Sequence, residues 1–199
     1  MAMVWNLIGS DVMKAIVLLS GPIAVGKSSI AVALQDHHGF SRISSSGYLK
    51  GLAAKQGLGN ERPILQRLGD DLDVLTDYRW LIDEVAKSTI QSRPEVSRWL
   101  LDSVRKQRQV EHFREQFGAS VLHVHLTAPE DILRQRYESR AASAGNNQEA
   151  TPYELAIGHP NEIAARQLIR IADHVADLTL ATPEKVAIKI QELLDKRSA

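Results

Sequence analysis

The sequence predicts one α/β domain in which a parallel sheet is covered on both faces by helices. Two observations carry that prediction. Short, continuous apolar runs alternate with helix-length amphipathic stretches from residue 14 to the end. That is the pattern of strands joined by crossover helices, and strands buried on both faces need no polar alternation. Length is the other: 199 residues, against roughly 150 per domain, make one compact unit with room for small insertions. No internal repeat or low-complexity tract interrupts it.

The elements follow in order. Residues 14–20 read KAIVLLS, a buried-type strand that stops at Gly21-Pro22. The next stretch, KSSIAVALQDHH, sets Ile30, Ala33 and Leu34 on one helix face. A second strand is expected over 40–44. Residues 47–92 read as amphipathic helices broken at Gly57-Leu58-Gly59 and at Gly69. Their acidic positions (Asp70, Asp71, Asp73, Asp77, Asp83 and Glu84) read as a solvated face, not a metal site. After Pro94 comes the strand VSRWLLDS, then a helix over 106–117 closed by Gly118, then the strand SVLHVHLT. Pro129 suits the first turn of a helix that runs to 142. Residues 143–160 are polar and rich in breakers, so they read as a long loop or lid. A helix over 162–172, a strand over 175–180 and a helix over 183–196 finish the chain. Trp80 and Trp99 are expected in the core. His123 and His125 share one strand face and read as packing or sheet-edge residues, because no third ligand lies near them in the pattern.

Composition excludes several function classes. Lys+Arg and Asp+Glu both number 24, so a generally basic nucleic-acid binder is not expected, although local arginine clusters remain open. There is no cysteine, which removes disulfides, thiolate metal sites and cysteine nucleophiles. No apolar stretch approaches the roughly 20 residues that span a membrane. Residues 1–12 lack a basic region ahead of their apolar patch and read as an extension before Met13, the start of the recognisable domain. The expectation is a cytoplasmic-type protein comprising residues 13–199, its oligomeric state open.

The strongest motif is Gly21-Pro22-Ile23-Ala24-Val25-Gly26-Lys27-Ser28, which is G-x-x-x-x-G-K-[ST]. It sits between a buried-type strand and a helix, the context in which such a loop wraps a phosphate with its N–H groups. The helix start aims its positive end at the same anion. Gly21, Ala24, Val25, Gly26, Lys27, Ser28 and Ser29 are thus the candidate ATP-binding residues, with Lys27 reaching the β- and γ-phosphates and Ser28 placed for Mg²⁺. No N-K-x-D stretch specifies a guanine base, and no second ABC-type motif is present.

Three further stretches bear on the reaction. Trp99-Leu100-Leu101-Asp102-Ser103-Val104-Arg105 puts a carboxylate at a strand end, where ligands of parallel sheets bind. Asp102 is a candidate water-mediated Mg²⁺ contact or a helix cap, and Arg105 a grip on a second phosphate. Arg136 and Arg140 lie four apart on one helix face beside the lid, placed to stabilise a transferring phosphoryl group or simply to cap a helix end. Ser45, Arg62 and Gln66 are the candidate acceptor contacts after the second strand.

With these residues in view, the chain resembles the nucleoside monophosphate kinases in the broad sense, over residues 13–197. Residues 43–50 (ISSSGYLK) resemble the family's I-S-T-G-D-L-L-R, residues 101–105 its L-I-D-G-F-P-R, and residues 136–140 its R-x-x-x-R at the lid. The resemblance implies a three-layer α/β/α fold with five parallel strands in the order 2-3-1-4-5. It also implies Mg²⁺-ATP on the loop, an acceptor nucleotide under residues 47–92 and a lid over 136–160. The departures are Gly47, where adenylate kinases carry Asp, and Ser103-Val104 in place of G-F-P. Without cysteines a zinc lid is impossible. Residues 61–69 (ERPILQRLG) look closer to deoxynucleotide kinases and to P-loop kinases of bacteria and phages. The expected reaction is ATP-dependent phosphoryl transfer to a (deoxy)nucleoside monophosphate, a small-molecule partner. Two alternatives stand: a hydroxyl acceptor with Asp102 as base, and a nucleotide-binding regulatory module without turnover.

Overall fold

The computed structural model describes residues 13–143 and 151–198. Five parallel strands lie in the order β2-β3-β1-β4-β5, as expected. They are β1 (Ala15–Ser20), β2 (Ser41–Arg42), β3 (Arg98–Leu101), β4 (Val121–Thr127) and β5 (His174–Asp177). Central β1 is entirely buried and pairs on both sides, Leu18 facing Leu101 on β3 and His123 on β4. The expected 1–12 extension and residues 144–150 of the expected lid lie outside the described residues.

The pleat sends successive side chains to opposite faces, and so divides the core in two. Val17, Leu19, Leu122, Val124 and Leu126 pack against α1 (Lys27–His38) and α9 (Pro183–Ser198). Ile16, Leu18, Trp99 and Leu101 pack on the other face against Val110 and Phe113 of α5 (Gln107–Phe117) and against residues 80–90. Both tryptophans expected in the core are there, Trp80 at 5% and Trp99 at 0% exposure. Helices on both faces of one parallel sheet give three layers. All strand carboxyl ends then open on one edge, which sets the place of the site.

Several boundaries differ from expectation. Gly69 does not break a helix: α2 (Ser45–Lys55) is followed by α3 (Arg62–Leu75), which runs through it, and a Cβ there would meet Leu49 at 3.6 Å. The break falls instead at Asp77 and Tyr78, both with positive φ, where Tyr78 N–H bonds Asp73 O. A π-helical turn, Leu81–Ala86, leads into α4 (Lys87–Ser92). The fifth strand ends at Asp177, not 180, since the Asp177 carboxylate accepts from Thr179 N–H and turns the chain. The lid stretch is partly helical: α6 (Glu130–Ser143) reaches into it and α7 (Tyr153–Ile157) lies within it. The helix expected over 162–172 is α8 (Pro160–Gln167) plus a 3₁₀ turn. Asp73 is not on a solvated face but 7% exposed.

Candidate active site

The phosphate loop is built by backbone geometry that few residues permit. Gly21 (φ 137°), Ala24 (φ 62°) and Gly26 (φ 108°) turn the chain from β1 into α1. Gly26 is the N-cap of α1, and no side chain caps that end, so the first N–H groups of the helix face the loop's hollow. Their partial positive charge makes this an anion seat. Lys27 Nζ lies within it, donating to Gly21 O at 2.6 Å and Pro22 O at 2.8 Å. Burial lowers the Lys27 pKa to about 8; Glu162 and Asp102 oppose this, while Arg105 and Arg140 add to it. Ser28 and Ser29 are exposed beside it. Ala24 forms the left-handed corner of the loop, and Val25 anchors it with a fully buried side chain.

In front of the loop lies a cleft of about 270 Å³, lined by Lys27, Ser28, Arg42, Ser44 to Ser46, Asp102, Ser103 and Arg105. Three carboxyl strand ends meet there. The structure brings Lys27, Ser28, Ser45, Asp102 and Arg105 into one cleft, as the sequence pattern anticipates. Ser45 Oγ donates to Ser103 Oγ at 2.9 Å, tying α2 to the end of β3. Arg62, at the start of α3, stands close enough to Arg105 to lower its pKa, second only to burial. Among the described residues neither arginine has a carboxylate within ion-pair distance. Arg105 lines the cleft and Arg62 stands near it, while Glu162, Asp70 and Asp73 act on Arg105 from beyond ion-pair distance; guanidinium groups so placed can receive a doubly charged anion.

Other expected residues are placed differently. Both Asp102 oxygens accept from Arg42, at 3.0 and 2.7 Å, so its carboxylate is bound bidentately and 8% exposed. Arg136 donates to Val25 O and Leu178 O on the far side of the loop, holding it against the β5–α9 turn. Arg140, not Arg136, lies near Lys27, and its guanidinium stands 6.0 Å from the Tyr137 ring centre. Gln66 contacts the His159 ring at 2.6 Å and so joins α3 to the start of α8. A Cβ at Gly47 would meet only the Ser44 side chain, Oγ at 3.5 Å and Cβ at 3.9 Å, so a side chain there is not excluded by space.

Sequence reasoning missed Glu162. Its Oε1 accepts from Ile23 N–H of the loop at 2.8 Å and from Arg166 Nε at 3.0 Å. Arg166 continues to Glu130 at 2.8 Å, and Glu130 accepts from Tyr153 Oη. This network braces the loop from α6, α7 and α8. No spacing rule reports a contact between residues 139 apart. The only local sign is Pro160-Asn161-Glu162, a proline and an acid in a first helical turn.

Beneath the loop, Ser20 Oγ is shared by His123 Nε2 at 2.7 Å and His125 Nδ1 at 2.9 Å, all three fully buried. The histidines are packing residues, as expected. Desolvation lowers both pKa values to about 4, and half-buried His174 shifts in the same sense. An unfolded histidine titrates near about 6.5. Between these values the unfolded chain binds protons that the folded chain refuses. Stability is therefore complete above about pH 6.5 and falls as pH drops towards 4, at about 1–2 kcal/mol per unit. Urea unfolding at pH 7.5, 6 and 5 checks this; an unchanged unfolding free energy down to pH 5 refutes it.

Residues that fit a Mg²⁺ ion are Ser28, through its exposed hydroxyl, and Asp102, through water, because Arg42 occupies its oxygens. Among the described residues no cluster of three His, Asp or Glu side chains could hold a metal alone. Among the same residues no helix is long and apolar enough to cross a membrane.

No curated protein matches the sequence. Solved structures similar in fold include a protein of Chloroflexus aurantiacus, 14% identical over 94% of this chain and 99% of that one, with a TM-score of 0.56. Shikimate kinase from Acinetobacter baumannii is 16% identical, over 92% and 94%, with a TM-score of 0.54. A gluconokinase from Sinorhizobium meliloti is 16% identical, over 94% and 99%, with a TM-score of 0.50. At such identities the likeness is one of fold. A family model described as an AAA domain matches residues 17–154. That span takes in the phosphate loop, the cleft and α6, and it exceeds half of the chain; this protein therefore belongs to that AAA domain family of P-loop proteins.

Proposed function

We propose that this P-loop phosphotransferase moves the γ-phosphoryl group of ATP to an anionic small molecule, a (deoxy)nucleoside monophosphate foremost. The observation that carries this is Arg105 on the cleft that also holds Lys27 and Ser28, with Arg62 near it and, among the described residues, no carboxylate within ion-pair distance of either. An acceptor phosphate is already ionised, so the site needs no base, only positioning and charge. The loop N–H groups and Lys27 hold the donor phosphates, Arg105 and Arg62 the acceptor phosphate, and Ser45 the rim. Arg140 adds positive charge where the phosphoryl group passes, and Arg136 keeps the loop in shape. Mg²⁺, when bound with ATP, supplies charge neutralisation beside Ser28. A screen of common NMPs and dNMPs with Mg²⁺-ATP, reading ADP, tests the proposal. Acceptor-dependent turnover with at least one is expected; turnover with none refutes it.

A hydroxyl acceptor is the second reading. It is favoured by the fold shared with structures of a shikimate kinase and a gluconokinase, and by Asp102 on the cleft wall. A hydroxyl needs a base, and Asp102 would first have to leave Arg42. Asp102→Asn separates the readings. With a phosphate acceptor the rate is expected to fall about tenfold or less, through a lost water-mediated contact. A loss of about 10²–10⁴ that follows the titration of a carboxylate assigns it as base.

A further inference from the structure

The link from β3 to α5 carries Arg105, yet residues 102–106 belong to no strand or helix. Two anchors define the path there. Val104, 1% exposed, inserts into the core between the sheet and α5. Gln109, one turn into α5 and 5% exposed, turns its side chain back to the chain that precedes the helix. Its Oε1 accepts from the N–H of Arg105 at 3.0 Å and of Lys106 at 3.2 Å.

Those two donors fix which end of the amide faces them. A carbonyl oxygen must lie there, so Nε2 points the other way, to Asp73 Oδ1 at 3.2 Å. The same oxygen accepts from Trp80 Nε1 at 2.7 Å. Asp73 comes from α3, the helix that also presents Arg62. Burying a carboxylate costs stability, and here one of its oxygens takes two buried N–H groups that an apolar side chain would leave unpaired. An acceptor at that point satisfies the Trp80 indole N–H and holds the Gln109 amide in one orientation.

We infer that Gln109, oriented by Asp73, is a positioning residue that fixes the backbone of Arg105 and so aims its guanidinium at the acceptor phosphate. The relay also couples α3, the helix that carries Arg62, to the β3 end. Its catalytic meaning rests on the phosphate-acceptor reading above.

The test uses the full chain with Gln109→Met, which keeps the side-chain length and removes both polar ends. The KM of the best acceptor from the NMP and dNMP screen is expected to rise about tenfold, the value of one or two backbone hydrogen bonds. The kcat and the Kd of a non-hydrolysable ATP analogue should stay within about twofold. Amide hydrogen exchange at residues 105 and 106 should quicken. Asp73→Asn retains an acceptor oxygen and should leave acceptor KM within about twofold. If Gln109→Met does not fold, Gln109→Asn, a methylene too short to reach, is read for the same changes. Equal loss of ATP and acceptor binding would overturn the inference, as would a tenfold KM rise in Asp73→Asn. Unaltered exchange at 105 and 106 would overturn it whatever the acceptor. Absence of wild-type turnover would instead remove the functional reading and leave the exchange result to decide the relay.

Discussion

Replacing Lys27 by methionine is expected to reduce phosphoryl transfer by at least about 10²–10³, the usual cost of removing one preorganised charge from a transition state. The fold should persist, because Nζ bonds only the loop carbonyls of Gly21 and Pro22 and its stem can be matched by methionine. The effect falls on chemistry since Lys27 is the cation inside the loop and lines the cleft. Burial pushes its pKa to about 8 in the free protein, even with Glu162 opposing. The sign of the pH dependence follows. Above about pH 8 the free protein loses the proton, while bound phosphate needs it, so ATP binding takes up a proton there. Affinity for an ATP analogue should be level from pH 7 to 7.5 and fall above 8, approaching tenfold per unit. Calorimetric titration in buffers of different ionisation enthalpy reads the proton directly. Retention of more than about a tenth of the activity in Lys27→Met would contradict the role given to this residue.

What the sequence made legible, and what it did not, divides by range. The strand KAIVLLS, the glycine-bounded loop and the turn into α1 are local, and each residue type there answers to a local backbone demand. The strand order followed from a resemblance whose motifs sit at strand ends. Contacts between distant segments left no trace. Arg42 with Asp102, Ile23 with Glu162 and Gln66 with His159 are separated by 60, 139 and 93 residues. Asp73 looked like one more acid on a charged face, because i,i+3 spacing cannot show that Trp80 and Gln109 would bury it. Gly69 looked like a breaker, but α3 runs through it despite the roughly 1 kcal/mol that glycine costs a helix. The candidate cleft was therefore found by its phosphate end and its two motif residues, Asp102 and Arg105. Its counter-charges came only from the folded chain.

Gly21→Ala and Gly47→Ala should move stability in opposite directions, and the difference tests the loop geometry itself. At Gly21 the backbone has φ 137°, and a Cβ would stand 2.5 Å from Leu126 O of the neighbouring strand. That oxygen is backbone in the buried strand β4, so it cannot swing away as a flexible side chain would. Either β1 and β4 separate or the loop adopts another path. The expected cost is about 3 kcal/mol or more, adding backbone strain to an overpacked contact. In a domain of this size that lowers the melting temperature by about 6–12 °C. The loop carbonyl that holds Lys27 moves with it, so ATP-analogue binding should fail even in the folded fraction. Gly47 has an ordinary helical φ, is exposed and brings its Cβ only to the Ser44 side chain, Oγ at 3.5 Å and Cβ at 3.9 Å. Alanine there should stabilise α2 by about 0.5 kcal/mol through helix propensity and leave ATP binding unchanged. Thermal melts of both variants with ligand titrations give the comparison. A Gly21→Ala protein that melts like the wild type and binds the analogue normally would show that the loop tolerates a side chain at this point, contrary to the packing of β1 against β4.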